Sequence, residues 1–124
     1  MSVSHSILVV DDDPEIVKLL TIRLTKLGYA ITTAANGVDG IATARRDKPD
    51  LILLDVMMPG KSGWDVIRAL KADPSTRDIK IIMVSAIGEI TNEITARMYG
   101  ANAHVDKPFD FETLETAIGN VLGS

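Results

Sequence analysis

The chain predicts an α/β domain built on a doubly wound, five-stranded parallel sheet with five helices. Three observations carry that expectation. Short apolar runs alternate with segments of helical periodicity along the whole of the 124 residues, the pattern of repeated βα units. The connections between them are short and punctuated by Gly, Pro, Asn and Asp. The runs at residues 7–10 and 51–54 are wholly apolar, as strands of a parallel sheet buried on both faces must be. Right-handed crossovers leave few ways to wind such units, and a sheet covered on both faces is the simplest.

The first run, Ile7-Leu8-Val9-Val10, reads as a central strand. Asp13-Pro14 then opens a helix, with Asp at the N-cap and Pro at the first helical position. Ile16, Leu20, Leu24 and Leu27 fall on one face of it, and Gly28 closes it. The second run, residues 30–35, is interrupted by the polar Thr32 and Thr33 and predicts an edge strand. Asn36 caps a second helix reaching about Arg46, ahead of Pro49. Leu51-Ile52-Leu53-Leu54 is the third strand. Residues 63–72 form the third helix, stopped by Asp73-Pro74, with Trp64 packed at its start and near enough to Asp55 to report on it. The fourth strand spans residues 79–84, and a helix over residues 89–99 follows with Ile90, Ile94 and Met98 in line and Gly100 after it. The fifth strand covers residues 103–105. Asp110 caps the last helix, Phe109 and Leu114 suit a hydrophobic staple, and Leu114, Ala117, Ile118 and Val121 make the buried face.

Composition narrows the function classes. Hydrophobic residues make up 46% and charged residues 24% of the chain, which is ordinary for a globular domain. The length suits one core, so residues 1–124 read as a single domain with a flexible leader at residues 1–5. The absence of cysteine excludes disulfides, thiolate catalysis and Cys-ligated metals, and fits a reducing cytoplasm. The net charge of −4 and the lack of a basic stripe argue against direct nucleic-acid binding. No stretch suits a signal peptide or a membrane span. With the last helix ending near Leu122, only Gly123-Ser124 remain, so no output domain is expected to follow.

The polar residues at the strand ends carry the chemistry. In open α/β sheets, ligands bind beyond the carboxyl ends of the strands. Here those ends bear Asp11 and Asp12, then Asp55, then Ser85, then Lys107; the predicted edge strand contributes nothing. Carboxylates gathered at one edge repel each other unless a cation sits among them, and an oxygen-only set suits Mg²⁺. Asp12 and Asp55 are candidates to bind the metal directly, Asp11 to hold a coordinated water, and the Met57 backbone carbonyl to complete the set. Lys107 supplies a further positive charge and Ser85 a hydroxyl donor. Phosphoryl transfer needs mainly positioning and charge neutralisation, with Asp55 as nucleophile forming an acyl phosphate. Asp13 is explained by helix capping alone and is left out of the site. Met57 and Met58 suit packing and loop roles rather than ligation through sulfur.

The residues Val9-Val10-Asp11-Asp12-Asp13, Leu53-Leu54-Asp55-Val56-Met57-Met58-Pro59-Gly60, Val84-Ser85-Ala86 and Asp106-Lys107-Pro108-Phe109 resemble the receiver domain of bacterial two-component response regulators. The resemblance implies a flavodoxin-like strand order 2-1-3-4-5 and a phosphoryl group accepted on Asp55 from a sensor histidine kinase or phosphotransfer protein. It implies Mg²⁺ held by Asp11, Asp12, Asp55 and the Met57 carbonyl, phosphoryl oxygens bound by Ser85 and Lys107, and a cis Lys107–Pro108 peptide. It also implies a readout through the fourth helix, fifth strand and fifth helix, to a downstream protein or a fused output domain, as a monomer or a phosphorylation-dependent dimer. One position departs from the family pattern. His104 stands where receivers usually carry Tyr or Phe, the partner of Ser85 in the switch. It either serves as that aromatic switch, with a ring that titrates near neutral pH, or decorates the outer face of an edge strand. Two other readings compete. An aspartyl-nucleophile phosphatase usually places a second Asp where Met57 stands, and a chain of this length leaves little room for a substrate cap. A phosphorylation-independent interaction module would not require Asp11, Asp12, Asp55, Ser85 and Lys107 together. Enzymatic activity is then expected only as slow hydrolysis of the domain's own acyl phosphate.

Overall fold

The computed structural model describes residues 5–86 and 93–123. Five βα units follow one another: β1 (Ser6–Val10), α1 (Pro14–Lys26), β2 (Ala30–Ala34), α2 (Gly37–Asp47), β3 (Leu51–Asp55), α3 (Gly63–Ala72), β4 (Lys80–Ala86), α4 (Glu93–Met98), β5 (Ala103–Lys107) and α5 (Phe111–Leu122). The strands form one parallel sheet in the order β2-β1-β3-β4-β5, as the resemblance implies, and β2, with its two threonines, lies at its edge. β4 and β5 run farther than their apolar cores suggest. Backbone pairing continues through Ser85↔Asp106 and Ala86↔Lys107, because ladder hydrogen bonds do not require apolar side chains.

Alternation along the strands divides the core into two layers. Leu8, Val10, Ile52, Leu54, Ile81 and Met83 face one side with Ile41, Ala44, Val66, Ile67, Leu70 and Ala96 of α2, α3 and α4. Ile7, Val9, Leu51, Leu53, Ile82 and Val84 face the other with Leu20 and Leu24 of α1 and Leu114, Ile118 and Val121 of α5. The second layer confirms the predicted face of α5.

The helix ends follow local chemistry. Asp13 accepts from the Glu15 and Ile16 N–H groups, and Gly28 takes φ +96° after α1, a conformation glycine adopts without a Cβ penalty. Leu27 is the C-cap residue and is exposed, so it does not join the buried face expected of it. Asn36 Oδ1 accepts from Asp39 N–H at 2.8 Å, and Asp110 Oδ1 from Thr113 N–H at 2.7 Å. Ser62 and Asp65 form a reciprocal capping box on α3. Phe109 stands edge-on to Phe111 at 5.9 Å, and it shares the apolar cluster of Leu114. Lys80 Nζ donates to the Val121 carbonyl at 2.8 Å, placing a cation at the negative end of α5.

The fourth helix corrects the expected pattern. Its predicted start at residue 89, and Ile90 with it, lie outside the described residues. Ile94 and Met98 are 74% and 81% exposed, while Ala96 is buried in the core. The small alanine sits against the sheet and turns the larger apolar side chains outward. Trp64 packs against Tyr99, ring centroids 4.4 Å apart, joining the start of α3 to the turn after α4.

Gly63 sets how closely α3 approaches the end of β3. A Cβ there would lie 2.5 Å from the Asp55 carbonyl oxygen and 2.8 Å from Val56 Cα, and Gly63 N–H donates to the Val56 carbonyl at 2.7 Å. Gly63→Ala should lower stability to urea by about 1–3 kcal/mol through overpacking against backbone. Gly119→Ala, with nothing within 4 Å of the added Cβ, should raise it by up to about 1 kcal/mol as a helix-interior replacement. Equal effects would refute the close-approach argument.

Candidate functional site

Parallel pairing brings the acids together. Val10 is the register partner of Leu54, so Asp11 and Asp55 emerge side by side at the carboxyl end of β1 and β3. Both are buried, and Asp12 beside them is exposed. One carboxylate oxygen from each of the three lies within 4.8 Å of the others. Lys107, at the end of β5, reaches across β4: its Nζ donates to Asp11 Oδ2 at 2.9 Å and to Asp55 Oδ1 at 3.2 Å. Asp13 N–H holds the other Asp11 oxygen at 2.9 Å. The Lys107–Pro108 peptide that follows is cis.

Electrostatics follow from this crowding. Burial is the main cause that pushes the Asp55 carboxyl up to about 6; the Asp11 charge adds to it, Lys107 opposes it, and Asp12 adds a further push. Burial works against the Lys107 ammonium, yet its hydrogen bond to Asp11 and the charges of Asp11 and Asp55 hold its pKa above the ordinary lysine value. Three carboxylates against one ammonium leave an excess of negative charge in a half-enclosed site. Such a set fits a hard divalent cation, which takes oxygen ligands and keeps part of its water. Met57, in the loop after β3, has its side chain 63% exposed, whereas Met58 is buried.

Ser85 and His104 form a separate pair on the neighbouring strands. Ser85 is fully buried, and its Oγ lies 2.6 Å from His104 Nε2. The His104 side chain is 6% exposed, with Asp106 Oδ1 3.6 Å from the same Nε2. His104 is thus not an outer-face decoration of β5; its ring is turned in against Ser85. Ser85, His104 and Asp106 do not make a nucleophilic triad, since serine and aspartate address one ring nitrogen rather than opposite ones. Asp106 was missed from sequence. Its signal was the two-residue spacing from His104, which places both on one side of a strand. Trp64, expected near Asp55, has Tyr99 as its ring partner.

The sequence matches the response regulator receiver domain over residues 7–119, and the chain belongs to that family. It is 40% identical over 116 residues to the protein PilH of Pseudomonas aeruginosa, covering 94% of this chain and 96% of that one. It is 41% identical over 116 residues to the DNA-binding dual master transcriptional regulator RpaA of Synechocystis, covering 94% of this chain and 48% of RpaA. The chain therefore spans about half the length of RpaA and of several other curated relatives. Among solved structures, the chemotaxis protein CheY4 of Vibrio cholerae superposes with a TM-score of 0.86 at 29% identity, covering 96% of this chain and 99% of that one. The receiver domain of the sensor histidine kinase PA1611 of Pseudomonas aeruginosa superposes with a TM-score of 0.88 at 28% identity over 98% of this chain and 100% of that one, and it has a magnesium ion coordinated in its active site cleft. The strand order is that of the flavodoxin-like receiver fold. Among the described residues, no helix is long and apolar enough to cross a membrane.

Burial raises the Asp55 pKa in the folded protein above its unfolded value. Its stabilising contribution is complete below the unfolded value of 3.8 and is lost as pH rises through about 6. Without added metal, Asp55→Asn should therefore be more stable than wild type at pH 7.5 by about 1–2 kcal/mol, and the advantage should shrink toward pH 5. Urea unfolding at both pH values measures it, and a pH-independent difference would contradict the assignment.

Proposed function

We propose that Asp55 is the phosphoacceptor of a signalling switch, supplied by a phosphohistidine on a sensor histidine kinase or phosphotransfer protein. The observation that carries the proposal is Lys107 Nζ bound to both Asp11 and Asp55 within a cluster of carboxylates spaced to share one cation. An Asp55 oxygen attacks phosphorus, the phosphorus–nitrogen bond to the donor imidazole breaks, and that imidazole leaves with its electron pair and takes a proton. Even without a metal, when its pKa is about 6, Asp55 is ionised at neutral pH, as a carboxylate nucleophile must be. Lys107 is placed to follow the incoming oxygens, and Asp11 anchors it throughout. Asp11, Asp12, Asp55 and the Met57 carbonyl would hold Mg²⁺, which supplies charge neutralisation for the phosphoryl oxygens.

The switch then runs through Ser85 and His104 to the surface of α4, β5 and α5, where Ile94 and Met98 are exposed. The partner is a downstream protein or an output domain, met as a monomer or as a phosphorylation-dependent dimer, in the cytoplasm. Residues 1–124 act as one receiver domain, without direct nucleic-acid contact and without turnover beyond slow loss of its own acyl phosphate. A phosphatase acting on external substrates is disfavoured by Met57 at the place of a second aspartate.

Intact-mass spectrometry after incubation with acetyl phosphate tests the proposal. One added phosphoryl group is expected on wild type with Mg²⁺, and none after chelation or on Asp55→Asn. An adduct that survives either change would place the chemistry elsewhere.

A further inference from the structure

We infer that His104 is a positioning residue for phosphoryl capture: its Nε2–H holds the Ser85 oxygen as an acceptor, so that the single Ser85 proton is directed to the phosphoryl group. This rests on Asp55 as phosphoacceptor and adds a donor chain to it. A serine hydroxyl has one hydrogen to give, and a neutral imidazole donates from one nitrogen and accepts at the other. A phosphoryl group offers acceptor oxygens only. Were Nε2 the acceptor, the 2.6 Å contact would consume the Ser85 proton, and nothing would remain for the phosphoryl oxygens.

Asp106, although its side chain is 66% exposed, biases the choice between the two tautomers. Its Oδ1 lies 3.6 Å from the same Nε2. A lone pair on that nitrogen would face a carboxylate oxygen, whereas a proton there is attracted by it. The result is a directional chain, from His104 Nε2–H to Ser85 Oγ and from Ser85 O–H to the phosphoryl group. Ser85 is fully buried, so a hydrogen bond lost there is not replaced by solvent. Bonds linked in series polarise one another in such surroundings. A phenylalanine ring at position 104 would have no N–H to offer, so this device depends on the histidine itself.

The test measures the imidazole ¹⁵N shifts of His104 in the wild-type chain, free and with Mg²⁺ and beryllofluoride as phosphoryl analogue. It adds beryllofluoride affinity for wild type, His104→Phe, His104→Gln, Ser85→Ala and the His104→Phe/Ser85→Ala pair. The proton is expected on Nε2 in both states. His104→Phe should weaken binding about tenfold, the scale of one buried hydrogen bond, and His104→Gln, which restores an N–H donor, should recover most of it. In the Ser85→Ala background the His104→Phe loss should vanish, since the chain is already broken. A neutral Nδ1–H tautomer, binding by His104→Phe as tight as wild type, or an undiminished loss without Ser85 would each overturn the inference. Amide dispersion reports whether each variant folds, and the tautomer is read in wild type regardless. Wild type that binds no beryllofluoride would overturn the phosphoacceptor reading and this inference together; wild-type binding unaffected by His104→Phe would overturn only the inference.

Discussion

The structure turns on one electrostatic conflict: carboxylates crowded at the carboxyl end of a hydrophobic sheet. Asp11 and Asp55 are buried, and water screens their charges poorly. A like-charged pair in such a place is costly unless something opposite in sign lies between its members. Lys107 is that group, bonded to both carboxylates, and it comes from β5, two strands away from β3. The three strands are thereby tied at their functional ends, and the remaining excess of negative charge invites a cation.

The scaffold answers to that requirement. Each of the two cores grips one face of the sheet, leaving the strands little freedom to slide or to change register. The loop after β3 is closed by Gly63 N–H on the Val56 carbonyl and by the Ser62–Asp65 capping box. The acid at the strand tip is therefore supported from below by packing and from the side by the start of α3. A site built on strand ends in this way holds its groups more firmly than one built on loops alone.

The same geometry links the acid cluster to the far edge of the sheet. β4 lies between the strand that carries Asp55 and the strand that carries His104, and Ser85 sits on it with its Oγ against His104 Nε2. The buried Ser85–His104 pair thereby joins the strand beside the acid cluster to the edge strand β5.

Much of this was legible in the chain itself. Strand identity, the caps at Asp13, Asn36 and Asp110, the edge position of β2 and the placing of Asp11, Asp12, Asp55, Ser85 and Lys107 at one end all follow from local chemistry. Apolar runs, turn residues and their spacing act over a few residues, and sequence displays those directly. The Ser62–Asp65 box is equally local, since its two residues stand three apart. What sequence could not decide was partnership across distance. Lys107 pairs with Asp11 and Asp55, 96 and 52 residues away; His104 turns inward to Ser85; Ile94 and Met98 lie outward because Ala96 takes the contact with the core. Those choices depend on strand register and on which side chains fill the space between layers. They are settled only when the sheet and its helices are packed together.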